Sequence, residues 1–83
     1  MAIDYRGLRA VSARDLIAAL GRDGFHFVRQ VGSHRRYQHP DGRRVTVAPH
    51  GSGDTFKRKT LQSIIESQAQ WTAEDLRRLK LIP

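Results

Sequence analysis

The sequence predicts a small α+β domain in which one three-stranded antiparallel sheet carries helices packed on one face. Three observations predict it. Ser12 and Thr72 each stand three residues before an Asp and open a stretch of apolar residues at helical spacing. Between them, residues 25–47 fall into short segments rich in aromatic and β-branched residues, and Pro40-Asp41-Gly42 is a strong hairpin signal. With 83 residues the chain supports one modest core and an open working surface, not a large enclosed pocket.

Taken in order, residues 1–11 show no clean period and read as an N-terminal extended arm or leader whose order the sequence leaves open, with residues 12–83 as the single domain. Ser12 with Asp15 starts the first helix, whose apolar stripe is Ala13, Leu16, Ile17 and Leu20, and Gly21 or Gly24 is expected to end it. Strands are expected over Phe25–Val31, Ser33–His39 and Arg43–Val47. Proline presets one dihedral of the Pro40-Asp41-Gly42 turn and glycine accepts the positive φ. The run Pro49-His50-Gly51-Ser52-Gly53-Asp54-Thr55 has loop composition and is expected to be exposed and mobile. Leu61, Ile64, Ile65 and Gln68 or Ala69 then mark a second helix behind the cluster Lys57-Arg58-Lys59. Thr72 with Asp75, and Trp71 with Leu76 at the positions of a hydrophobic staple, predict a short third helix holding Leu76 and Leu79. Phe25, Phe27, Leu16, Leu20, Ile64 and Ile65 are expected in the core, because their spacing matches the buried faces.

Charge narrows the partners. Fifteen Lys and Arg against eight Asp and Glu give a formal charge of +7, which favours an anionic partner. Nucleic acid comes ahead of membrane, since no amphipathic helix joins a basic face to a large apolar one. The absence of cysteine excludes a disulfide scaffold and a thiolate metal site, and fits a reducing compartment. No signal-peptide pattern and no run of about eighteen apolar residues occurs, so a cytoplasmic protein is expected. The four histidines do not repeat at ligand spacing and no carboxylate pair accompanies them, so neither a metal nor another cofactor is expected.

The chemically suggestive segment is Gly32-Ser33-His34 followed by Arg35-Arg36. Histidine is the side chain that changes charge near neutral pH. Strand alternation puts His34, Arg36 and Gln38 on one face and Ser33, Arg35 and Tyr37 on the other, where Tyr37 packs against the helices. That leaves His34 and Arg36 on the open face, where a guanidinium binds phosphate in bidentate fashion. By itself, a histidine there is an ordinary solvent-facing strand residue. His26 and His39 are read as structural.

The ordered succession Asp15-Leu16-Ile17, Gly24-Phe25, Val28-Arg29-Gln30, Gly32-Ser33-His34, His39-Pro40-Asp41-Gly42-Arg43, Val45-Thr46-Val47 and Thr60-Leu61-Gln62-Ser63-Ile64 resembles the HicA toxins of bacterial toxin–antitoxin pairs. The resemblance covers residues 12 to 72. It implies a double-stranded-RNA-binding-domain-like fold, a ribonuclease that cleaves messenger RNA and arrests growth, and a HicB antitoxin that masks the active site. It also implies that His34 is the catalytic residue. Many members carry a second histidine directly after the first, where this chain has Arg35, so only His34 carries that role over. A glycine often precedes the third helix in the family, where Gln70-Trp71 stands here. The expected RNA contacts are Gly32, Ser33, Arg35, Arg36, His50, Lys57 and Lys59, with His50 also a candidate second acid or base. The alternatives are a non-catalytic RNA-binding module on the same basic face and a pure interaction protein that meets an acidic partner.

Overall fold

The computed structural model of the chain describes residues 3–8, 10–48 and 55–83. Helix α1 (Ala13–Asp23) is followed by strands β1 (His26–Val31), β2 (His34–Gln38) and β3 (Arg44–Val47), then by α2 (Arg58–Gln62), a π-helical segment (Ser63–Gln68) and α3 (Ala73–Arg78). The strands form one antiparallel sheet in the order β1-β2-β3. This α+β architecture, helix-strand-strand-strand-helix, fits the double-stranded-RNA-binding-domain-like class.

Both helix starts form for the local reason their residues supply. The Ser12 side chain accepts from the Asp15 N–H while the Asp15 carboxylate accepts from the Ser12 N–H, and Thr72 and Asp75 repeat the exchange. Helix α1 ends at Gly24, not Gly21: its φ of 101° is the left-handed cap that glycine adopts without strain. An added Cβ there would lie 2.9 Å from the His39 ring, a second reason for glycine. At the β2–β3 turn the Gly42 N–H donates to the His39 carbonyl and Gly42 has φ 102°, so the Pro40-Asp41-Gly42 turn forms as its residues predict.

The core lies between the helices and one face of the sheet. Leu16, Ala19 and Leu20 of α1 join Tyr37, Val45 and Val47 of the sheet and Leu61, Ile64, Ile65, Leu76 and Leu79 of the C-terminal helices. Each fully buried Leu, Ile or Val in it contributes about 1.5–3 kcal/mol.

Four features differ from the sequence reading. The N-terminal arm packs onto the domain: Tyr5–Leu8 forms a 3-10 turn, and Leu8 and Val11 are buried at 1% and 7% exposure. Aperiodic spacing hid them because a single turn buries isolated residues. Phe27 is 53% exposed and lies outside the core, edge-on to Tyr37, because the helices cover β2 and β3 but leave every β1 side chain exposed. The second helix widens after Gln62 into the π segment, where the Ala69 N–H reaches back five residues to the Ile64 carbonyl. Widening keeps Leu61, Ile64, Ile65 and Ala69 all buried while Gln68 turns to the sheet edge. Finally, His26 is exposed opposite Gln38 and makes no hydrogen bond among the described residues, so it has no structural role there. The expected loop and its His50 lie outside the described residues, apart from Thr55, which bridges to Ser12.

Candidate nucleic-acid interface

His34 owes its position to a two-residue hairpin loop. Val31 pairs with His34 across Gly32-Ser33, and Gly32 has φ 59° while Ser33 has no positive φ, the pattern of a type II′ turn. A Cβ on Gly32 would meet nothing within 4 Å, so the backbone angle, not crowding, calls for glycine. His34 opens β2 on the solvent side, exposed, and its imidazole makes no hydrogen bond among the described residues.

The side chain borders a concavity of about 480 Å³ whose far wall is the start of α2 and the π segment: Lys59, Thr60, Ser63 and Gln68, with Thr46 and Phe56. The Gln68 side chain anchors this wall, its Oε1 accepting the Thr46 N–H at 2.8 Å and its Nε2 donating to Ser63 Oγ at 3.2 Å. The amide thereby satisfies a backbone donor on the free edge of β3. Of the expected site residues, the concavity brings His34 and Lys59 together. Gly32 and Ser33 form the adjoining turn, and Arg36 lies two residues from His34 on the same face, opposite Thr46. Arg35 faces the other way, opposite Gln30 and Val47, and Lys57 stands at the N-cap of α2 away from the concavity. Thr46, Ser63 and Gln68 were not singled out from the sequence. Gln68 sat in the helical stripe as an alternative to Ala69, and only the π turn separates their directions.

The electrostatics of this region are one-sided. Among the described residues, Arg29, Arg35, Arg36, Arg44, Lys57 and Lys59 have no carboxylate within 4 Å, although all are exposed. Elsewhere Arg6, Arg43 and Arg78 are engaged in ion pairs. The Asp23 carboxylate, 8% exposed, accepts from Trp71 Nε1 at 2.8 Å and from Arg78 at 2.8 Å, and pairs with Arg43 at 3.1 Å. Burial pushes the Asp23 carboxyl up, but the bonds from Trp71, Arg78 and Arg43 outweigh it and hold the group below the usual carboxylate range. His39 belongs to the same knot, with Nε2 at 2.7 Å from the Asp23 carbonyl and its ring edge-on to Phe25, the structural role its place beside the turn suggested.

No group of three His, Cys, Asp or Glu side chains comes together among the described residues. None of the described helices is long and apolar enough to cross a membrane.

A three-stranded sheet backed by helices, with a free imidazole and unpaired cations on its open side, defines a basic α+β domain with an open cationic face. Within that class, residues 13–71, well over half of the chain, match the family described as the HicA toxin of bacterial toxin-antitoxin. The chain belongs to that family: it is a toxin of a toxin–antitoxin system, a class generally of ribonucleases, and it has an antitoxin as partner. None of the curated proteins matches it significantly.

Proposed function

We propose that this toxin cleaves messenger RNA as a metal-independent endoribonuclease in the cytoplasm, with His34 moving the protons and a HicB-type antitoxin masking it. The observation that carries the reading is His34 itself: an exposed imidazole without an internal hydrogen bond, at the mouth of a concavity shared with Lys59 and beside the unpaired Arg36. A histidine with nothing to hold in the fold is free to hold a substrate.

The chemistry needs only groups of this kind. Neutral His34 takes the proton of a ribose 2′-hydroxyl, and the 2′-oxygen attacks the adjacent phosphorus. The 5′-oxygen leaves and takes up a proton from the imidazolium or from water, so the products are a 2′,3′-cyclic phosphate and a 5′-hydroxyl. The extra negative charge that develops on the phosphoryl oxygens is stabilised by the Arg36 guanidinium and the Lys59 ammonium. Gly32, Ser33, His50 and Lys57 supply further contacts to the strand, whereas Arg35 faces away from it.

The test compares wild type with His34→Ala on messenger RNA in the presence of a chelator, scoring binding and cleavage separately. Equal binding with cleavage lost only in the variant is the expected result. Wild type that binds without cutting would leave a non-catalytic RNA-binding module, and cutting that returns only with added metal would remove metal independence.

A further inference from the structure

Strand β1 contains a bulge whose effect is to turn an arginine to the open face. Phe27 pairs with Tyr37, but Arg29, two residues on, pairs with Arg36, only one residue back, so Val28 is the extra residue. Directly paired residues share a face, and one extra residue flips every side chain after it. With regular pairing Arg29 would stand opposite Arg35, on the side of Tyr37 and the helices. With the bulge it stands opposite Arg36, on the side of His34.

The result is a row of like charges that the fold does not need. Arg29, Arg36 and Arg44 rim one shallow concavity of about 330 Å³, with Val28, Gln38 and Thr46 between them. Two arginines directly across a strand pair destabilise it, and among the described residues none of the three has a carboxylate within 4 Å. A bulge that gives up ladder pairing in order to juxtapose two cations is explained by an anion that spans them.

We propose that Arg29, Arg36 and Arg44 form a track for successive phosphates of a single-stranded RNA, leading from His34 across the open face of the sheet. The row begins about 7 Å from His34, two residues along β2. Both aromatic rings of this part of the sheet, Phe27 and Tyr37, belong to the other face, so the track holds backbone and does not stack bases. RNA is named as the polyanion on the strength of the ribonuclease reading; the placement of the three arginines stands without it.

The experiment measures binding of a single-stranded 2′-O-methyl oligonucleotide, which lacks the attacking hydroxyl, so that affinity is read independently of cleavage. Arg29→Gln and Arg44→Gln are each expected to weaken binding roughly three- to tenfold and to lower the slope of log affinity against log salt by about 0.7. Arg77→Gln, an equal charge loss on the exposed side of α3, is expected to bind as wild type. Adding Glu74→Gln to Arg29→Gln restores the net charge at an exposed position on α3 and is expected not to restore affinity. The proposal is overturned if Arg29→Gln behaves like Arg77→Gln, or if Glu74→Gln rescues it. It is equally overturned if Arg29→Gln and Arg44→Gln weaken antitoxin binding while the oligonucleotide binds as to wild type, since the row is then a protein contact. Loss of oligonucleotide affinity in an enzyme that proves unable to cut ordinary RNA would sink the ribonuclease reading and leave the track.

Discussion

Strand β2 joins two ends of the sheet that use the same residue types in opposite ways. At its far end, His39 and Arg43 are absorbed into a knot around Asp23, with Trp71 and Arg78 on the same carboxylate and the Arg43 guanidinium 5.0 Å over the Phe25 ring. At its near end, about 17 Å away, His34, Arg35 and Arg36 have neither carboxylate nor aromatic partner among the described residues. The comparison teaches that the fold supplies counter-charge and hydrogen-bond partners to the histidine and arginine at one end of the sheet and leaves those at the other end without them. One end satisfies its polar groups internally, and the other leaves them for something outside the molecule.

The strongest way to break the comparison is at the free end. His34→Ala is expected to lower RNA cleavage by roughly 10²–10⁴-fold, the range of a lost acid or base, while thermal stability stays within about 0.5 kcal/mol of wild type. A large stability loss would show that His34 belongs to the fold after all. At the knotted end the effects reverse: Asp23→Ala leaves the Trp71 indole without its acceptor and takes one of their carboxylates from Arg43 and Arg78, which keep Asp41 and Asp75, and it is expected to destabilise by about 1–3 kcal/mol in denaturant titration. Cleavage per folded molecule should remain, and its loss would couple the two ends.

Gly24→Ala is a gentler probe of the same end. It forces a Cβ to within 2.9 Å of His39 Nε2 at φ 101°, and about 1–2 kcal/mol of destabilisation is expected, again without loss of RNA affinity. The smallest effect is on acid stability. Because the folded Asp23 carboxyl titrates below its unfolded value of about 3.9, its contribution is fully present above that pH and is lost as pH falls through the lower folded value. Unfolding midpoints should therefore drop more steeply below about pH 4 in wild type than in Asp23→Asn. Identical acid profiles for the two would remove Asp23 from the role of anchor.

How much of this was legible depended on the range of the interaction. The capping boxes Ser12/Asp15 and Thr72/Asp75 and the turn at Gly42 are contacts within four residues, and each formed as the residues predict. The faces of β2 were legible too, since alternation needs no partner: Tyr37 is buried, and His34 and Arg36 are exposed. The same alternation fails in β1, where Phe25 and Phe27 would assign Arg29 to the covered face. Nothing in Val28-Arg29-Gln30 announces a bulge, because a bulge is a mismatch between two strands and is visible only when both are aligned. Gln68 was hidden for a similar reason, its direction being decided by a π turn that follows from packing four apolar residues against the sheet.

The amino-acid sequence by itself determined the element order, the basic character, the position of His34 on the solvent side of β2 and, through its motifs, the toxin family. Those properties rest on neighbours along the chain, on composition and on residue identity. Only the tertiary structure decided that Asp23 gathers His39, Arg43, Trp71 and Arg78, that Lys59 and Gln68 wall the concavity beside His34, and that Arg29 joins Arg36. Each of these brings together residues far apart in sequence. Their juxtaposition is set by strand register and helix packing, which no local stretch of sequence contains.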